Sequence, residues 1–202
     1  MEQLFKNVNI NGEICDILCR DIKIEKIGKI DGEGIDFKGK RAYAGLVDIH
    51  THGMGGIDTM DAELDRLSEL YAKSGTTTVY PTTMTAPHDD IFGVLCSFTI
   101  FTYVRSFKVN TEYIRLPDIN EFKDYPMAKI ITVAPELEGA AEYIENTDML
   151  VCVGHTDEDY ETVIKAADVG AKCVTHTFNA MPPLHHREPS GVLAVPFVTV
   201  IS

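Results

Sequence analysis

The pattern of hydrophobic and polar positions changes near residue 42. Before that point, apolar and polar residues alternate in the short runs ICDILC (14–19), DIKIEKIGKI (21–30) and GIDFKGK (34–40), and Ile22, Ile24, Ile27 and Ile30 mark the alternation. Period-two patterning punctuated by Gly and Asp predicts strands, hence a small all-β segment. From Ala42 onward compact apolar runs take over, at AGLVDIH (44–50), TTTVYPTT (76–83), KIITVAP (129–135), MLVCVGH (149–155) and AKCVTH (171–176). Between them lie stretches with helical spacing. In DAELDRLSELYAKSG (61–75), Leu64, Leu67, Leu70 and Tyr71 share a face and Gly75 is placed to end the helix. In DEDYETVIKAADVG (157–170), Asp157 and Asp159 enrich the first turn and Gly170 closes the last. Strands alternating with helices predict an α/β fold on a parallel sheet, either doubly wound or closed as a barrel. A (β/α)8 barrel takes roughly 250 residues, about 31 per unit. The 161 residues from Ala42 to Ser202 hold about five such units, so a barrel here is partial.

Composition narrows the class. The 202 residues are 45% hydrophobic and 24% charged, as expected of a globular protein with a real core. Eighteen Lys and Arg face 31 Asp and Glu, for a net charge of −13, with no dense basic cluster. That balance argues against nucleic acid and against anionic membrane surfaces as partners. No apolar run approaches the roughly 20 residues of a membrane span, and MEQLFKNVNINGEICDI lacks the basic and apolar blocks of a signal peptide. The five cysteines are odd in number and form no CxxC pair, which fits free thiols in a reducing cytoplasm. Cys15 and Cys19 have a spacing that metal ligands use, but nothing downstream completes a set.

Candidate chemistry lies in the seven histidines. His50 and His52, in DIHTH, stand two apart, so on a strand both imidazoles point to the same side. They follow the apolar run LVDI and precede Gly53, Gly55 and Gly56, which predicts the carboxyl end of a buried strand. His155 ends MLVCVGH and His176 ends AKCVTH. Any one of these is unremarkable as a satisfied histidine. Four of them ending three strands predict a shared rim that holds one or two divalent ions. His88 falls in the polar stretch TAPHDD and is expected in a solvated loop. The segment NAMPPLHHREPSG carries His185, His186 and Arg187 on a Pro-braced loop. It suits an anionic, hydroxyl-rich ligand, with Arg187 forking onto phosphate or carboxylate; an ordinary loop with an Arg187–Glu188 surface pair is the other reading.

GLVDIHTHG, YPTTMT, TEYIRLPD, ITVAPELEGA, VGHTDEDYE and THTFNAMPPLHHREPSG follow one another as in the N-acetylglucosamine-6-phosphate deacetylases of the amidohydrolase superfamily, which this chain resembles from about residue 10 to about residue 195. HxH marks only the superfamily, whereas FNAMPPLHHREP is far more specific and carries the resemblance to the deacetylases. The resemblance implies a metal-dependent (β/α)8 barrel, TIM-like and here partial, with residues 1–42 part of a small β-sandwich domain and 43–202 the incomplete barrel. It implies that His155 and His176 ligate the catalytic metal, and that His50 and His52 hold a further ion in some members. Asn179 and Ala180 match positions that hold the sugar, and Arg187 matches the residue that grips the 6-phosphate. The implied reaction is hydrolysis of the N-acetyl amide to glucosamine 6-phosphate and acetate. In such sites a metal lowers the pKa of the water it holds toward about 7 and polarises the carbonyl, while a carboxylate moves the proton. Imidazole ligands suit Zn, Fe, Co or Ni equally. The intact family fold implies a homodimer.

Two departures stand out. The family's metal-binding Glu, in an H-L-E-G-P motif, is replaced by GVLCSFTIFTYVRSFKVN (93–110), which has no Asp, Glu or His. Neither Glu136 nor Glu138 takes its place by alignment. The family's catalytic Asp falls beyond Ser202. A local replacement flanked by matching segments has the pattern of a frame disturbance or a deletion. These departures predict a chain with little turnover and open sheet edges. The alternatives are a non-catalytic fragment or pseudoenzyme that binds metal or sugar phosphate, and another amidohydrolase acting on a cyclic amide.

Overall fold

A computed structural model describes residues 1–96, 101–104 and 116–183. The chain divides into two compact units, Met1–Gly45 and the remainder from Leu46.

The first unit is one four-stranded sheet of β1 (Glu2–Ile10), β2 (Glu13–Arg20), β3 (Lys23–Gly28) and β4 (Ile35–Asp36), in the order β3-β2-β1-β4. The first three form an antiparallel meander, and β4 joins β1 in parallel. The β1–β2 connection is Asn11-Gly12, both with positive φ (51° and 97°), the pair that a tight hairpin turn demands. Asp16 is the buried polar anchor of this unit. It accepts hydrogen bonds from the Asn7 and Ile30 backbone N–H groups, both at 3.0 Å, and from Lys6 Nζ at 3.0 Å. The isoleucine alternation does not mark a buried face. Ile22, Ile24 and Ile27 are 96%, 60% and 53% exposed, because these strands form a single layer and only Val8 among the apolar residues of the unit is fully buried.

The second unit is α/β. Strands β5 (Leu46–Thr51) and β8 (Thr76–Pro81) pair in parallel, with the small hairpin β6 (Gly53–Met54) and β7 (Ile57–Asp58) between them. A parallel sheet of β9 (Phe101–Val104), β10 (Ala128–Val133), β11 (Leu150–Val153) and β12 (Cys173–Val174) follows, in the order β12-β11-β10-β9. The helices are α1 (Leu64–Lys73), α2 (His88–Leu95), α3 (Ala140–Asn146) and α4 (Tyr160–Asp168). Asp159 caps α4 by accepting from Thr162 N at 2.9 Å, and Gly75, at φ +88°, follows α1 where its expected stop stands. The core gathers Ile131, Val133, Val151 and Val153 of the sheet against Leu95, Tyr143, Ile144 and Val163 of the helices. Burying each such side chain contributes about 1.5–3 kcal/mol relative to leaving it in water.

Two expectations are corrected. β5 is not buried: Leu46, Val47 and Ile49 are 63%, 61% and 48% exposed, since among the described residues its one ladder partner is β8. His88 is not in a loop. It opens α2, with its ring 3.9 Å from that of Phe92 one turn on. No helix among the described residues is long and apolar enough to cross a membrane.

Candidate metal centre

Three strands deliver the rim. His50 lies near the end of β5 and His52 just past it, with ring centroids 5.2 Å apart and edge to face. His155 follows β11 by two residues, and His176 follows β12 by two. The His176 ring lies 5.8 Å from that of His50 and 4.4 Å from that of His155. The four imidazoles expected to share a rim therefore form one chain of ring contacts, from His52 through His50 and His176 to His155.

Hydrogen bonding fixes which nitrogen two of the rings offer. His52 Nδ1 donates to the Thr82 carbonyl at 3.0 Å, and His176 Nδ1 donates to the Asn179 carbonyl at 3.0 Å. In a neutral imidazole this leaves Nε2 with its lone pair outward, the tautomer that carbonyl-anchored metal ligands adopt. Thr82 is itself held by Thr51: Thr82 N donates to the Thr51 carbonyl at 2.7 Å, and Thr51 N to Thr82 Oγ1 at 3.0 Å. The end of β8 thus positions the imidazole that follows β5.

His50 Nε2 is buried without a hydrogen-bond partner. Burial, reinforced by His52 and His176 and opposed by Asp48, pushes the His50 pKa down to about 4, so the ring is neutral near pH 7. A buried, neutral, unpartnered imidazole nitrogen is the group a cation would satisfy. His155 Nε2 and His176 Nε2 face each other at 2.7 Å, a separation that requires one proton between them. A cation sits about 2.0–2.1 Å from each imidazole nitrogen, so exchanging that proton for an ion opens the pair by less than about 1 Å. Each of these nitrogens has the chemistry of a divalent-metal ligand, but among the described residues no three His, Cys, Asp or Glu side chains form a group that could hold one ion.

The backbone is strained at these positions. His155 and His176 have φ of 54° and 33°, and Ala180 has φ of 52°. Left-handed geometry in residues other than Gly costs of order 1–3 kcal/mol and gathers at functional sites. Asn179 and Ala180 lie in the turn after β12, where the Asn179 carbonyl meets His176. Arg187 lies outside the described residues, as do His185 and His186. Cys15 and Cys19, both on β2, are free thiols in the other unit. The structure adds one carboxylate that the sequence set aside. Glu136, just past β10, accepts a 2.7 Å hydrogen bond from the hydroxyl of Thr156, the residue after His155. Its sequence signal was only its place after an apolar strand.

The described site is thus a rim of four imidazoles at the carboxyl ends of strands in an α/β unit, two of them anchored through Nδ1 to backbone carbonyls. No family model matches the chain. A solved structure of a mutant N-acetyl-D-glucosamine-6-phosphate deacetylase from Mycobacterium smegmatis, in complex with N-acetyl-D-glucosamine-6-phosphate, has the same fold, with a TM-score of 0.75 at 22% identity. That likeness covers 95% of this chain and 60% of the other. In sequence, the N-acetylglucosamine-6-phosphate deacetylase of Bacillus subtilis (strain 168) is 33% identical over 183 residues, 74% of this chain and 46% of that protein. The enzyme of the same name from Lysinibacillus sphaericus is 30% identical over 231 residues, 96% of this chain and 60% of that protein. On these likenesses the chain belongs to the N-acetylglucosamine-6-phosphate deacetylase family, and it spans roughly half the length of the curated relatives it matches.

Proposed function

We propose that this chain carries the metal-binding and sugar-phosphate-binding parts of a deacetylase that converts N-acetylglucosamine 6-phosphate to glucosamine 6-phosphate and acetate. The observation that carries the reading is the rim itself: four imidazoles from three parallel strand ends, one with an orphaned buried nitrogen and two with Nδ1 tied to carbonyls. In this reading His155 and His176 hold the catalytic ion, which is Zn, Fe, Co or Ni, and His50 and His52 hold a further one. The ion, when bound, supplies Lewis-acid polarisation of the acetyl carbonyl and a more acidic water. The remaining work belongs to the protein. The Thr82 and Asn179 carbonyls orient imidazoles, Asn179 and Ala180 contact the sugar, and Arg187 holds the 6-phosphate against the repulsion of a chain with net charge −13. The strands from β5 to β12 are then those of an incomplete (β/α)8 barrel (residues 43–202, with 93–110 departing from the family), and residues 1–42 part of a small β-sandwich. The reading places the protein in the cytoplasm as a homodimer.

A second reading, a non-catalytic module that binds metal or sugar phosphate, is favoured by the absence of a third converging ligand among the described residues and of any acid in 93–110. One experiment separates the two. The chain is titrated with Co2+ and Zn2+ beside His155→Asn and His176→Asn, asparagine being tolerant of positive φ. Bound metal and acetate release from N-acetylglucosamine 6-phosphate are then measured. The deacetylase reading expects metal binding weakened about 100-fold or more in both variants, beyond the 10–100-fold typical of outer-shell losses, and acetate release lost with it. Metal binding with no acetate from the unaltered chain is the outcome the replaced Glu and the absent Asp predict, and it selects the non-catalytic reading for this chain while leaving its kinship to the deacetylases in place. No binding of either ion to the unaltered chain refutes the site.

A further inference from the structure

Cys152 and Cys173 are partners in the parallel ladder of β11 and β12. Adjacent strands stand about 4.8 Å apart, so paired side chains leave the same face together, and the Cys173 thiol is within hydrogen-bonding reach of Cys152. Both line a cavity of about 330 Å3 whose wall also includes Thr175, His50 and His176. Cys152 is 6% exposed and Cys173 is half-buried, so the pair is reached from the cavity and the β12 edge. The chain's other thiols are not paired in this way. Cys15 and Cys19 lie four positions apart on β2, about 13 Å along a strand, and Cys96 is exposed at the end of α2. The deacetylase reading uses neither Cys152 nor Cys173.

We propose that Cys152 and Cys173 form a vicinal dithiol site for trivalent organoarsenicals of the type R–As=O. The choice of ligand follows from the surroundings. Burial, and then the adjacent thiol, push the Cys152 thiol up to about 12. Chemistry that needs a standing thiolate, such as alkylation or disulfide exchange, is therefore disfavoured. A divalent metal lacks a third protein ligand here among the described residues. Trivalent arsenic needs only two thiols, since its organic group fills the third position. Two As–S bonds form, the As=O bond breaks, and the two thiol protons leave with the oxygen as water. Arsenic stays trivalent, no electrons are transferred, and the product is uncharged, so burial does not penalise it.

The test uses phenylarsine oxide and the 202-residue chain. Intact-mass spectrometry should show one phenylarsenic group per chain, with two thiols lost to titration. The adduct should survive excess monothiol and be reversed by 2,3-dimercaptopropanol. The triple variant Cys15→Ser, Cys19→Ser, Cys96→Ser should keep full uptake, and Cys152→Ser and Cys173→Ser should each lose the monothiol-resistant adduct. Thermal melts accompany each variant, and Cys173→Ser, at a half-buried edge position, keeps the test open if Cys152→Ser fails to fold. A folded Cys173→Ser chain that retains the resistant adduct overturns the proposal, as does a triple variant without uptake.

Discussion

Gly154 joins β11 to His155, and replacing it by alanine tests how the histidine pair is spaced. A Cβ built at Gly154 meets Thr175 Cβ at 2.7 Å, Thr132 Cγ2 at 3.0 Å and Thr175 Oγ1 at 3.3 Å. Thr132 and Thr175 are buried and joined by a 2.7 Å hydroxyl–hydroxyl bond, so neither rotates away freely. The tightest contact is to an atom one bond from the backbone, so relief requires β12 to move. That segment is held by Thr175 N to the Val153 carbonyl at 2.9 Å and Lys172 N to the Val151 carbonyl at 3.0 Å. Overpacking of this kind costs about 1–3 kcal/mol. At about 2–4 °C per kcal/mol for a chain of this size, Gly154→Ala should lower Tm by about 2–12 °C. Because β12 carries His176, the same movement should part the 2.7 Å Nε2 pair and weaken Co2+ binding. Thr132→Ser removes the 3.0 Å contact and should restore part of the loss in a double-mutant cycle. A Gly154→Ala chain that melts within about 1 °C of the parent, with unchanged Co2+ affinity, would refute the reasoning.

Asp16 predicts an acid signature in the β unit. The Asn7 N–H, the Lys6 ammonium and the Ile30 N–H together lower its pKa from 3.8 to about 2. A carboxylate depressed in the folded state contributes stability above its unfolded pKa and loses it as pH falls through the folded one. Asp16→Asn should therefore be less stable than the parent near pH 7, and in circular-dichroism acid titrations the gap should close between about pH 4 and pH 2; a gap independent of pH would contradict this. Arg187→Ala should weaken binding of glucosamine 6-phosphate by about 10- to 100-fold, the size of a lost charge-assisted hydrogen bond. Unchanged affinity by calorimetry would remove Arg187 from the phosphate role.

Strand position near the site was legible because the apolar runs ending in His155 and His176 coincide with β11 and β12, and the run ending in His50 with β5. Helix α1 was legible from one stripe, of which Leu67 and Tyr71 are buried. Several elements escaped, β1, α2 and α3 among them. β1, Glu2–Ile10, mixes Lys6, Asn7 and Asn9 into its apolar positions and bulges between Phe5 and Val8, which breaks the period-two signal. Helix α2 begins at the His88-Asp89-Asp90 run, which reads as a solvated loop until Ile91, Val94 and Leu95 are seen buried on one face. Seven-residue α3 is too short for periodicity to declare itself. The apolar character of β5 was read correctly and its burial was not, because burial depends on ladder partners that no local pattern encodes.

The candidate site shows the same division between what spacing encodes and what only the fold supplies. Position at a strand end follows from a hydrophobic run that stops, and so the four histidines could be grouped from sequence. Their chemical state could not. That His50 Nε2 is orphaned depends on burial beside the His52 and His176 rings, and that Nδ1 is the donor in His52 and His176 depends on carbonyls 30 and 3 residues away. The left-handed backbone at His155, His176 and Ala180 is likewise invisible in the residue types, since none of the three is a glycine or asparagine. Local propensity opposes that geometry, and the surrounding packing must hold it, of which the tight fit at Gly154 is one part. Left-handed residues also occur away from the site, Lys38 and Ala62 among them, so what marks the rim is that two of its four imidazoles stand on such backbone, one of them directly after a glycine with no room for a Cβ.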